Sequence, residues 1–242
     1  MPNKIIVLGP KSYGDPLRDF GEIDYEMNGL FEDPSQVKLV MFTGGEDVHP
    51  SFYDGLDCGI SFTNLHRDMY EQEIFKACRQ HNIKMTGICR GFQFLNVMCG
   101  GRMYQHFLGH AIFGRHPAYF AYNERTAPVS STHHQLVELG PEATALAWAP
   151  EKLSKYYINA DGDSISNVER EVESAVFPRF NAFGVQFHPE MMAERELGRV
   201  FYQEMVSDFL QLEVKNFREK YGEKEDERRS VEQPGRGVTT GG

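Results

Sequence analysis

Residues 83–98 read IKMTGICRGFQFLNVM, a stretch that predicts a strand, a tight turn and a helix in immediate succession. Gly87 and Gly91 stand two places on either side of Cys89. Glycines at these positions suit a turn whose backbone is crowded against its neighbours, which is what a nucleophile elbow requires. Such a turn presents the cysteine side chain above the edge of the sheet. A cysteine beside a buried strand is also a common small core residue. Other segments of the chain are therefore needed to decide between a nucleophile and a core residue.

A histidine and a carboxylate that suit this cysteine lie further along the chain, in FGVQFHPE at residues 183–190. The strand period of two places His188 and Glu190 on the same side, with Pro189 ending the strand between them. A nearby imidazole and a helix N-terminus both raise the thiolate fraction of a cysteine, and a carboxylate can orient the imidazole. We therefore predict a triad of Cys89, His188 and Glu190. The alternative is a capped strand end that carries a surface histidine.

Five segments, in this order, resemble the class I glutamine amidotransferases, and specifically the branch that contains the γ-glutamyl hydrolases and the γ-glutamyl-γ-aminobutyrate hydrolases. The segments are FTGGEDVHP at 42–50 with Tyr53 following, RDMYE at 67–71, residues 87–101, THHQ at 132–135 and residues 184–190. The resemblance implies that the triad cleaves a γ-glutamyl amide through a thioester, releasing ammonia or an amine and then glutamate. It also implies an α/β fold, a three-layer α/β/α sandwich of flavodoxin-like type. Such a fold has a mostly parallel central sheet with an antiparallel extension, and the site lies at the carboxyl ends of the parallel strands.

The predicted strand at residues 37–42 runs into Thr43-Gly44-Gly45, where missing side chains leave backbone N–H groups free to approach a ligand. The resemblance and the elbow geometry together assign the oxyanion-hole role to the backbone N–H groups of Gly45 and Arg90, with Gly44 beside them. Gln93 lies one helical turn after the predicted nucleophile, and in similar enzymes this residue helps to hold the substrate. The simpler alternatives are that Gly44-Gly45 forms an ordinary turn and that Gln93 is an amide on the helix surface.

His133, His134 and Gln135 occupy the segment that lines the substrate pocket in the hydrolase branch, but their identity does not reveal which groups they contact. Ser130-Ser131-Thr132 stands just before them, where this branch commonly has an asparagine-serine pair. This departure leaves the selectivity for the group beyond the γ-amide open. The RDMYE segment opens a helix that packs beside the active site in this branch, and its charges form either an ion-paired scaffold or a substrate contact.

Other histidine and aspartate patterns in the chain do not predict a metal or nucleotide site. His106 and His110 are four residues apart and His116 is near, but Gly109 weakens a helix there and no H-E-x-x-H motif is present. The DGDS run at residues 161–164 lacks the later glycine and glutamate of a calcium loop. Neither G-x-x-x-x-G-K nor G-x-G-x-x-G occurs. We expect no metal and no cofactor.

The composition is compatible with one large α/β domain. The 242 residues are 40% hydrophobic, which is enough to cover a sheet on both faces. The formal net charge of −10 disfavours nonspecific binding to nucleic acid. The four cysteines have no metal-like spacing, and because Cys89 has to remain reduced we expect a cytoplasmic protein. The apolar run at residues 5–8 is too short for a signal peptide or a membrane span, so we expect no membrane contact.

Periodicity predicts strands near residues 4–8, 37–42 and 83–87, helices near 66–80 and 90–99, and shorter strands near 156–159, 172–177 and 183–188. Early alternation of strand and helix implies a parallel core, and the later strands form the antiparallel extension. An apolar stripe predicts one helix from about residue 193 to 221. We predict a single domain at residues 1–221, followed at 222–242 by a charged, Gly/Thr-rich tail that is disordered.

Three functions are compatible with these patterns. The first is a glutaminase that hydrolyses the γ-amide of glutamine and supplies ammonia to a separate ATP-dependent synthetase or ligase, since no acceptor-activating domain fits in the remaining length. The second is a stand-alone hydrolase of a γ-glutamyl amine or peptide, favoured by the segments at 43–48 and 133–135. The third is a catalytically silent homologue that serves as a binding subunit, and the intact triad argues against it.

Overall fold

A nine-stranded sheet forms the centre of the fold in the computed structural model, which describes residues 2–222. Apart from Gly222, the predicted tail lies outside these described residues. The described residues form fourteen strands, of which β5, β6, β9, β11 and β12 belong to two smaller sheets. The strands are β1 (Lys4–Leu8), β2 (Glu22–Asp24), β3 (Val37–Phe42), β4 (Lys84–Ile88), β5 (Arg102–Tyr104), β6 (His106–Phe107), β7 (Ala111–Phe120), β8 (Arg125–Thr132), β9 (Leu136–Glu138), β10 (Thr144–Trp148), β11 (Tyr157–Ile158), β12 (Ser164–Ile165), β13 (Val172–Phe177) and β14 (Ala182–Val185). The α-helices are α1 (Asn28–Glu32), α2 (Leu65–Gln80), α3 (Arg90–Met98), α4 (Leu197–Gln211) and α5 (Val214–Tyr221).

The large sheet has a parallel half and an antiparallel half. Its strand order is β2-β1-β3-β4-β14-β13-β10-β7-β8. Neighbouring strands from β2 to β14 run parallel, and Gly87 of β4 pairs with Gly184 of β14. From β14 onward each neighbouring pair is antiparallel. The predicted parallel core with an antiparallel extension is therefore confirmed, and the two parts contribute equal numbers of strand pairs. Of the later strands predicted to form the extension, β14 also pairs parallel with β4, and β11 lies in a separate three-stranded sheet.

Helices cover both faces of the sheet, as a three-layer sandwich requires. Side chains alternate between the faces along each strand. Ile5 and Met41 pack in the core that α4 and α5 cover, whereas Ile6 and Val40 pack in the core that α2 and α3 cover. Because the parallel strands are buried on both faces, they read as continuous apolar runs in the sequence. Within residues 2–222, no helix has the length and apolar character needed to cross a membrane.

The single helix predicted from about residue 193 to 221 is wrong, because α4 and α5 replace it. The chain between them is extended, and Lys84 Nζ donates to the Leu212 carbonyl group there at 2.8 Å. The break folds α5 back along α4, so that the Phe217 ring lies 5.1 Å from the Phe209 ring between centroids. Burial of these two rings stabilises the broken arrangement.

Three strands of the antiparallel half, β7, β8 and β10, are not predicted by periodicity. Pro117 in β7 and Pro128 in β8 face each other in the ladder. A proline cannot donate a ladder hydrogen bond, so it normally argues against a strand. Here β8 is the outermost strand of the sheet, where a missing donor is tolerated.

Gly87 and Gly91 are packed against neighbouring backbone at the turn after β4. A Cβ at Gly91 would collide with the Phe42 carbonyl oxygen, and one at Gly87 would collide with the Gly91 carbonyl group. We expect Gly91→Ala to lower the free energy of unfolding by about 1–3 kcal/mol, because backbone atoms cannot move aside as a flexible side chain does. Chemical denaturation measures the difference. Gly29→Ala is the control, since a Cβ there would make ordinary contacts, and equal loss in both variants would contradict the crowding.

Candidate functional site

Cys89 lies at the sharp turn between β4 and α3. Its backbone angles, φ 53° and ψ −113°, fall where L-residues are rarely found, at a cost of roughly 1–3 kcal/mol. Two hydrogen bonds hold the turn: the Cys89 N–H donates to the Val185 carbonyl group at 2.8 Å, and the Cys89 carbonyl group accepts from the Gln93 N–H at 3.1 Å. The elbow expected from the flanking glycines is therefore present. Strained backbone of this kind is typical of functional sites.

His188 and Glu190 lie beside Cys89 and contact each other. The His188 Nδ1 atom is 2.6 Å from Glu190 Oε1, and the thiol of Cys89 is the other side-chain partner of the imidazole. The structure brings the three predicted residues together, but strand alternation is not the reason. β14 ends at Val185, and a 3₁₀ helix at Pro189–Met191 turns Glu190 back toward the ring.

The protonation of His188 depends on these two partners. Burial alone lowers the pKa of His188, but hydrogen bonds and charge from Cys89 and Glu190 outweigh it and raise this pKa to about 10. The imidazolium is therefore favoured whenever the neighbouring thiol is ionised. This is the electrostatic setting of a thiolate–imidazolium pair.

Arg67, at the start of α2, holds the Thr43-Gly44-Gly45 loop. Its guanidinium donates to the Thr43 and Gly44 carbonyl oxygens, both at 3.0 Å, and also to Glu46 and Glu71. Because a trans peptide directs its N–H opposite to its carbonyl group, the N–H groups of Gly44 and Gly45 point away from Arg67. Gly45 has a φ of 139°, and a Cβ there would collide with the guanidinium. The charges of the RDMYE segment thus form an ion-paired scaffold for this loop.

Tyr13, which the sequence pattern does not single out, contacts both the glycine loop and His188. Its ring centroid is 6.0 Å from that of His188, and its hydroxyl accepts a hydrogen bond from the Gly44 N–H. Burial, together with the nearby charges of Glu190 and Cys89, raises the pKa of Tyr13, so the hydroxyl keeps its proton. Tyr13 lies in a 3₁₀ helix just after β1, and that position beside a parallel strand end is its only signal in the sequence.

The Arg90 side chain is buried beneath the elbow rather than directed into solvent. Its guanidinium forms ion pairs with Asp68 and Glu71 of α2, and all three side chains are at most 3% exposed. Phe94 stacks under the same guanidinium, with its ring centroid 5.0 Å from Cζ. The pairing ties the first turn of α3 to α2, so it fixes the direction of the Arg90 backbone beside Cys89.

Cys89 opens into a pocket of about 290 Å³. The other residues that line it are Gly45, Glu46, Asp47, Phe62, Arg90, Gln93, Thr132, His133, His134 and Gln135. Every residue predicted for oxyanion stabilisation or substrate binding, except Gly44, is among them. A larger cleft of about 840 Å³ lies beside Trp148 and residues 169–172 and contains none of the predicted site residues. We assign the site to the smaller pocket because the strained cysteine faces it.

Several of the pocket residues have their polar atoms held by the protein. Gln93 Nε2 lies 3.3 Å from both the Gln135 carbonyl group and Gln186 Oε1. Gln135 Nε2 donates to Ser61 Oγ at 2.9 Å. The His133 ring is buried, with Nδ1 at 3.0 Å from the Gln135 carbonyl group. These contacts fix the shape of the pocket wall, and direct substrate binding by Gln93, His133 and Gln135 stays a prediction.

His134 and Asp47 form the charged end of the pocket. His134 Nε2 is 3.1 Å from Asp47 Oδ2, and this hydrogen bond raises the pKa of His134. The same carboxylate accepts from the Phe62 N–H at 2.9 Å, which fixes the loop in front of the pocket. In the sequence, Asp47 stands out only as part of the FTGGEDVHP segment, because its histidine partner is distant in the chain.

The unusual Ser130-Ser131-Thr132 stretch divides its contacts between the core and the pocket. Ser130 Oγ accepts from the His188 N–H at 2.7 Å, and Ser131 Oγ donates to the His110 carbonyl group. Only Thr132 lines the pocket. The two serines therefore support His188 and the inner sheet, and Thr132 is the position that faces the pocket.

Comparisons with known proteins agree with this fold. Residues 34–160, more than half of the chain, match the Peptidase C26 family, so the chain belongs to this family of class I glutamine amidotransferase-like proteins. It is 29% identical over 180 residues to the glutamine amidotransferase-like protein YvdE of Lactococcus lactis, covering 66% of this chain and 69% of YvdE.

A shorter match relates the chain to a γ-glutamyl-CDP-amidate hydrolase of Campylobacter jejuni, with 34% identity over 59 residues, 24% of this chain and 26% of the relative. Among solved structures, a glutamine amidotransferase from Thermotoga maritima has a TM-score of 0.54 at 17% identity, over 91% of this chain and 92% of that one. At this identity the structural match concerns the fold alone.

Proposed function

We propose that this chain is a cysteine-dependent glutaminase of the class I type, which hydrolyses the γ-amide of glutamine and releases ammonia for a separate synthetase. The observation that carries the proposal is the arrangement of Cys89, His188 and Glu190 at a strained elbow that opens into a small polar pocket. A nucleophile, a base in contact with it and a carboxylate that orients the base are the components of covalent acyl transfer. Their presence argues against a catalytically silent binding homologue.

The proposed reaction uses each group in turn. His188 takes the Cys89 proton, and the thiolate attacks the γ-carbonyl carbon of the substrate. The backbone N–H groups of Gly45 and Arg90 stabilise the negative oxygen that forms. His188 then donates its proton to the departing nitrogen as the C–N bond breaks, which leaves a glutamyl thioester. A water molecule that gives a proton to His188 attacks the thioester, and glutamate leaves as the thiol is restored.

An apolar rim beside the pocket supports a separate synthetase partner. Phe62 lines the pocket yet is 77% exposed, and Leu65, Met69 and Tyr70 at the start of α2 are also exposed. Leu65 and Met69 are four residues apart and share one face of the helix. Exposed apolar groups clustered beside a site are typical of a protein interface. A synthetase bound there would receive ammonia next to the place where it forms.

A stand-alone γ-glutamyl hydrolase is the second candidate. It is supported by the local similarity to a γ-glutamyl-CDP-amidate hydrolase and by the open pocket mouth, where Thr132 and the pair of His134 and Asp47 can contact a leaving group larger than ammonia. Both candidates share the chemistry at Cys89. They differ only in what is attached to the γ-carbonyl group.

One set of assays separates the two candidates. The purified chain is incubated with glutamine and with a panel of γ-glutamyl amines and peptides, alone and with candidate ATP-dependent ligases. Glutamine cleavage that depends on a ligase, and that is lost in Met69→Glu although this variant melts at the same temperature as the wild type, supports the glutaminase. Partner-free cleavage of conjugates in preference to glutamine supports the hydrolase. Absence of cleavage in every combination would contradict both.

Glu190→Gln is expected to lower kcat by about 10²–10⁴-fold, because the imidazole loses the group that orients it and stabilises its charge. Removing the carboxylate also removes one of the causes that raise the pKa of His188. The alkaline limb of kcat/KM, where His188 loses the proton it donates, should therefore move to lower pH. A pH–rate profile measures both effects. Glu194→Gln, a change at an exposed carboxylate nearby, is the control, and an unmoved alkaline limb in Glu190→Gln would contradict the assignment.

A further inference from the structure

Three histidines and a glutamate converge in the interior, behind the pocket wall. His110 precedes β7, His116 lies in β7, His133 follows β8 and Glu173 lies in β13. All four side chains are at most 4% exposed. One nitrogen of each ring and one carboxylate oxygen lie within 4.8 Å of one another. None of these groups takes part in the steps of the proposed reaction, although His133 also lines the pocket.

In each ring, the nitrogen that points away from the centre of the cluster, the outer nitrogen, faces an oxygen that can accept a hydrogen bond from it. His116 Nδ1 is 3.0 Å from the Pro117 carbonyl group, and His133 Nδ1 is 3.0 Å from the Gln135 carbonyl group. A carbonyl oxygen only accepts, so each of these nitrogens carries the hydrogen. His110 Nε2 is 3.0 Å from Glu171, a carboxylate that also accepts from the Leu153 and Ser154 N–H groups. When the rings are neutral, the inner nitrogen of each one is left with a lone pair, which is the state that binds a metal ion.

The inner nitrogens of the three rings face one another and the Glu173 carboxylate. Within residues 2–222, no group outside the cluster forms a hydrogen bond with His116 Nε2 or with either carboxylate oxygen of Glu173. Buried acceptors grouped in this way repel one another unless a cation or additional protons lie between them. A histidine that donates its outer N–H to a carbonyl group or carboxylate is the usual arrangement around a bound metal ion.

Four of the six separations between the ligand atoms are close to those around a tetrahedral metal ion, and the other two are at most 4.8 Å. His110 Nδ1 is 3.0 Å from His133 Nε2, and Glu173 Oε1 lies 3.2, 3.3 and 3.5 Å from the inner nitrogens of His110, His116 and His133. Metal–ligand bonds of the length that zinc makes to nitrogen and oxygen give ligand–ligand separations of about 3.3 Å in a tetrahedron. A divalent ion would also balance the charges of Glu171 and Glu173.

We propose that His110, His116, His133 and Glu173 form a structural site for a divalent transition metal, best suited to zinc. Four protein ligands complete the coordination, as in structural rather than catalytic zinc sites. The ion would join β7, β8 and β13 and anchor the His133-His134-Gln135 segment that borders the pocket. This proposal departs from the expectation of no metal. The sequence offered His106 and His110 as ligands only if their segment were a helix, and Gly109 argued against a helix. The segment is instead extended, and His106 faces His134 at 3.5 Å, outside the cluster.

The test uses untagged chain carrying Cys89→Ala, so that neither a histidine tag nor the active-site thiol binds metal. After refolding with zinc and gel filtration, elemental analysis is expected to give about one zinc per chain, and X-ray absorption is expected to show nitrogen and oxygen ligands only. The melting temperature should be higher than after refolding with a chelator. Metal content should fall about tenfold or more in Glu173→Gln and His116→Gln, and stay unchanged in the exposed control His81→Gln.

A refolded chain that holds no zinc and melts at the same temperature with and without it would overturn the proposal. The cluster would then be a buried network in which protonated imidazole neutralises Glu173. If the two variants fail to fold, zinc content and melting temperature of the Cys89→Ala chain still decide between these outcomes. Since that chain lacks the proposed nucleophile, the result does not depend on the proposed function.

Discussion

Cys89→Ser is expected to abolish cleavage of glutamine and of γ-glutamyl amines, with a loss in kcat of about 10⁴-fold or more. The hydroxyl is a far weaker nucleophile at neutral pH than a thiolate that is paired with an imidazolium. The backbone of the elbow is held by the N–H and carbonyl group of residue 89 and not by its side chain, so the variant should fold. Release of ammonia or amine measures turnover, and thermal unfolding checks the fold.

The matched control for this variant is Cys99→Ser, at the opposite end of α3. Cys99 does not line the pocket, so its replacement should leave turnover close to wild type. Activity retained in Cys89→Ser at a level similar to that in Cys99→Ser would exclude Cys89 as the nucleophile.

Arg90→Met is expected to have the largest effect on stability, a loss of about 3–5 kcal/mol in the free energy of unfolding. The substitution leaves the carboxylates of Asp68 and Glu71 buried without their shared guanidinium. A buried charge that loses its partner costs much more than the pair contributed. Urea denaturation measures the loss.

Two further variants make this stability prediction specific. Arg79→Met removes a guanidinium that stacks on the Phe180 ring without an equivalent buried carboxylate pair, and it should cost much less. Adding Asp68→Asn and Glu71→Gln to Arg90→Met should recover part of the lost stability, since the uncompensated charges are removed. No recovery would mean that packing around Arg90, and not its charge, maintains this part of the fold.

The crowded turn at Cys89 and the pairing of His188 with Glu190 could be predicted from the sequence, because the residues that produce each of them stand close together in the chain. The glycines around Cys89 are required by backbone that lies within a few residues or on the adjacent strand, and their spacing is visible in one segment. His188 and Glu190 are also close in sequence. Their contact was predicted correctly even though a 3₁₀ turn, and not strand alternation, produces it.

Features that depend on long-range packing were not predicted. Tyr13 reaches His188 because a 3₁₀ helix after β1 passes the same edge of the sheet. The buried cluster of His110, His116, His133 and Glu173 requires knowledge of strands β7 and β8, whose prolines hide them in the sequence. The break between α4 and α5 likewise depends on aromatic rings that find partners only in the folded chain.

Covalent labelling with a chloroketone analogue of glutamine tests the central claim most directly. The analogue carries a ketone in place of the γ-amide carbonyl group and a chloromethyl group in place of the amide nitrogen, so the thiolate of Cys89 should displace chloride from that methylene carbon and form a stable thioether. Intact-mass and peptide-mass measurements should find one label per chain, on Cys89 and not on Cys58, Cys78 or Cys99, and glutamine should slow the reaction. Labelling of another residue, or labelling that glutamine does not slow, would contradict the account.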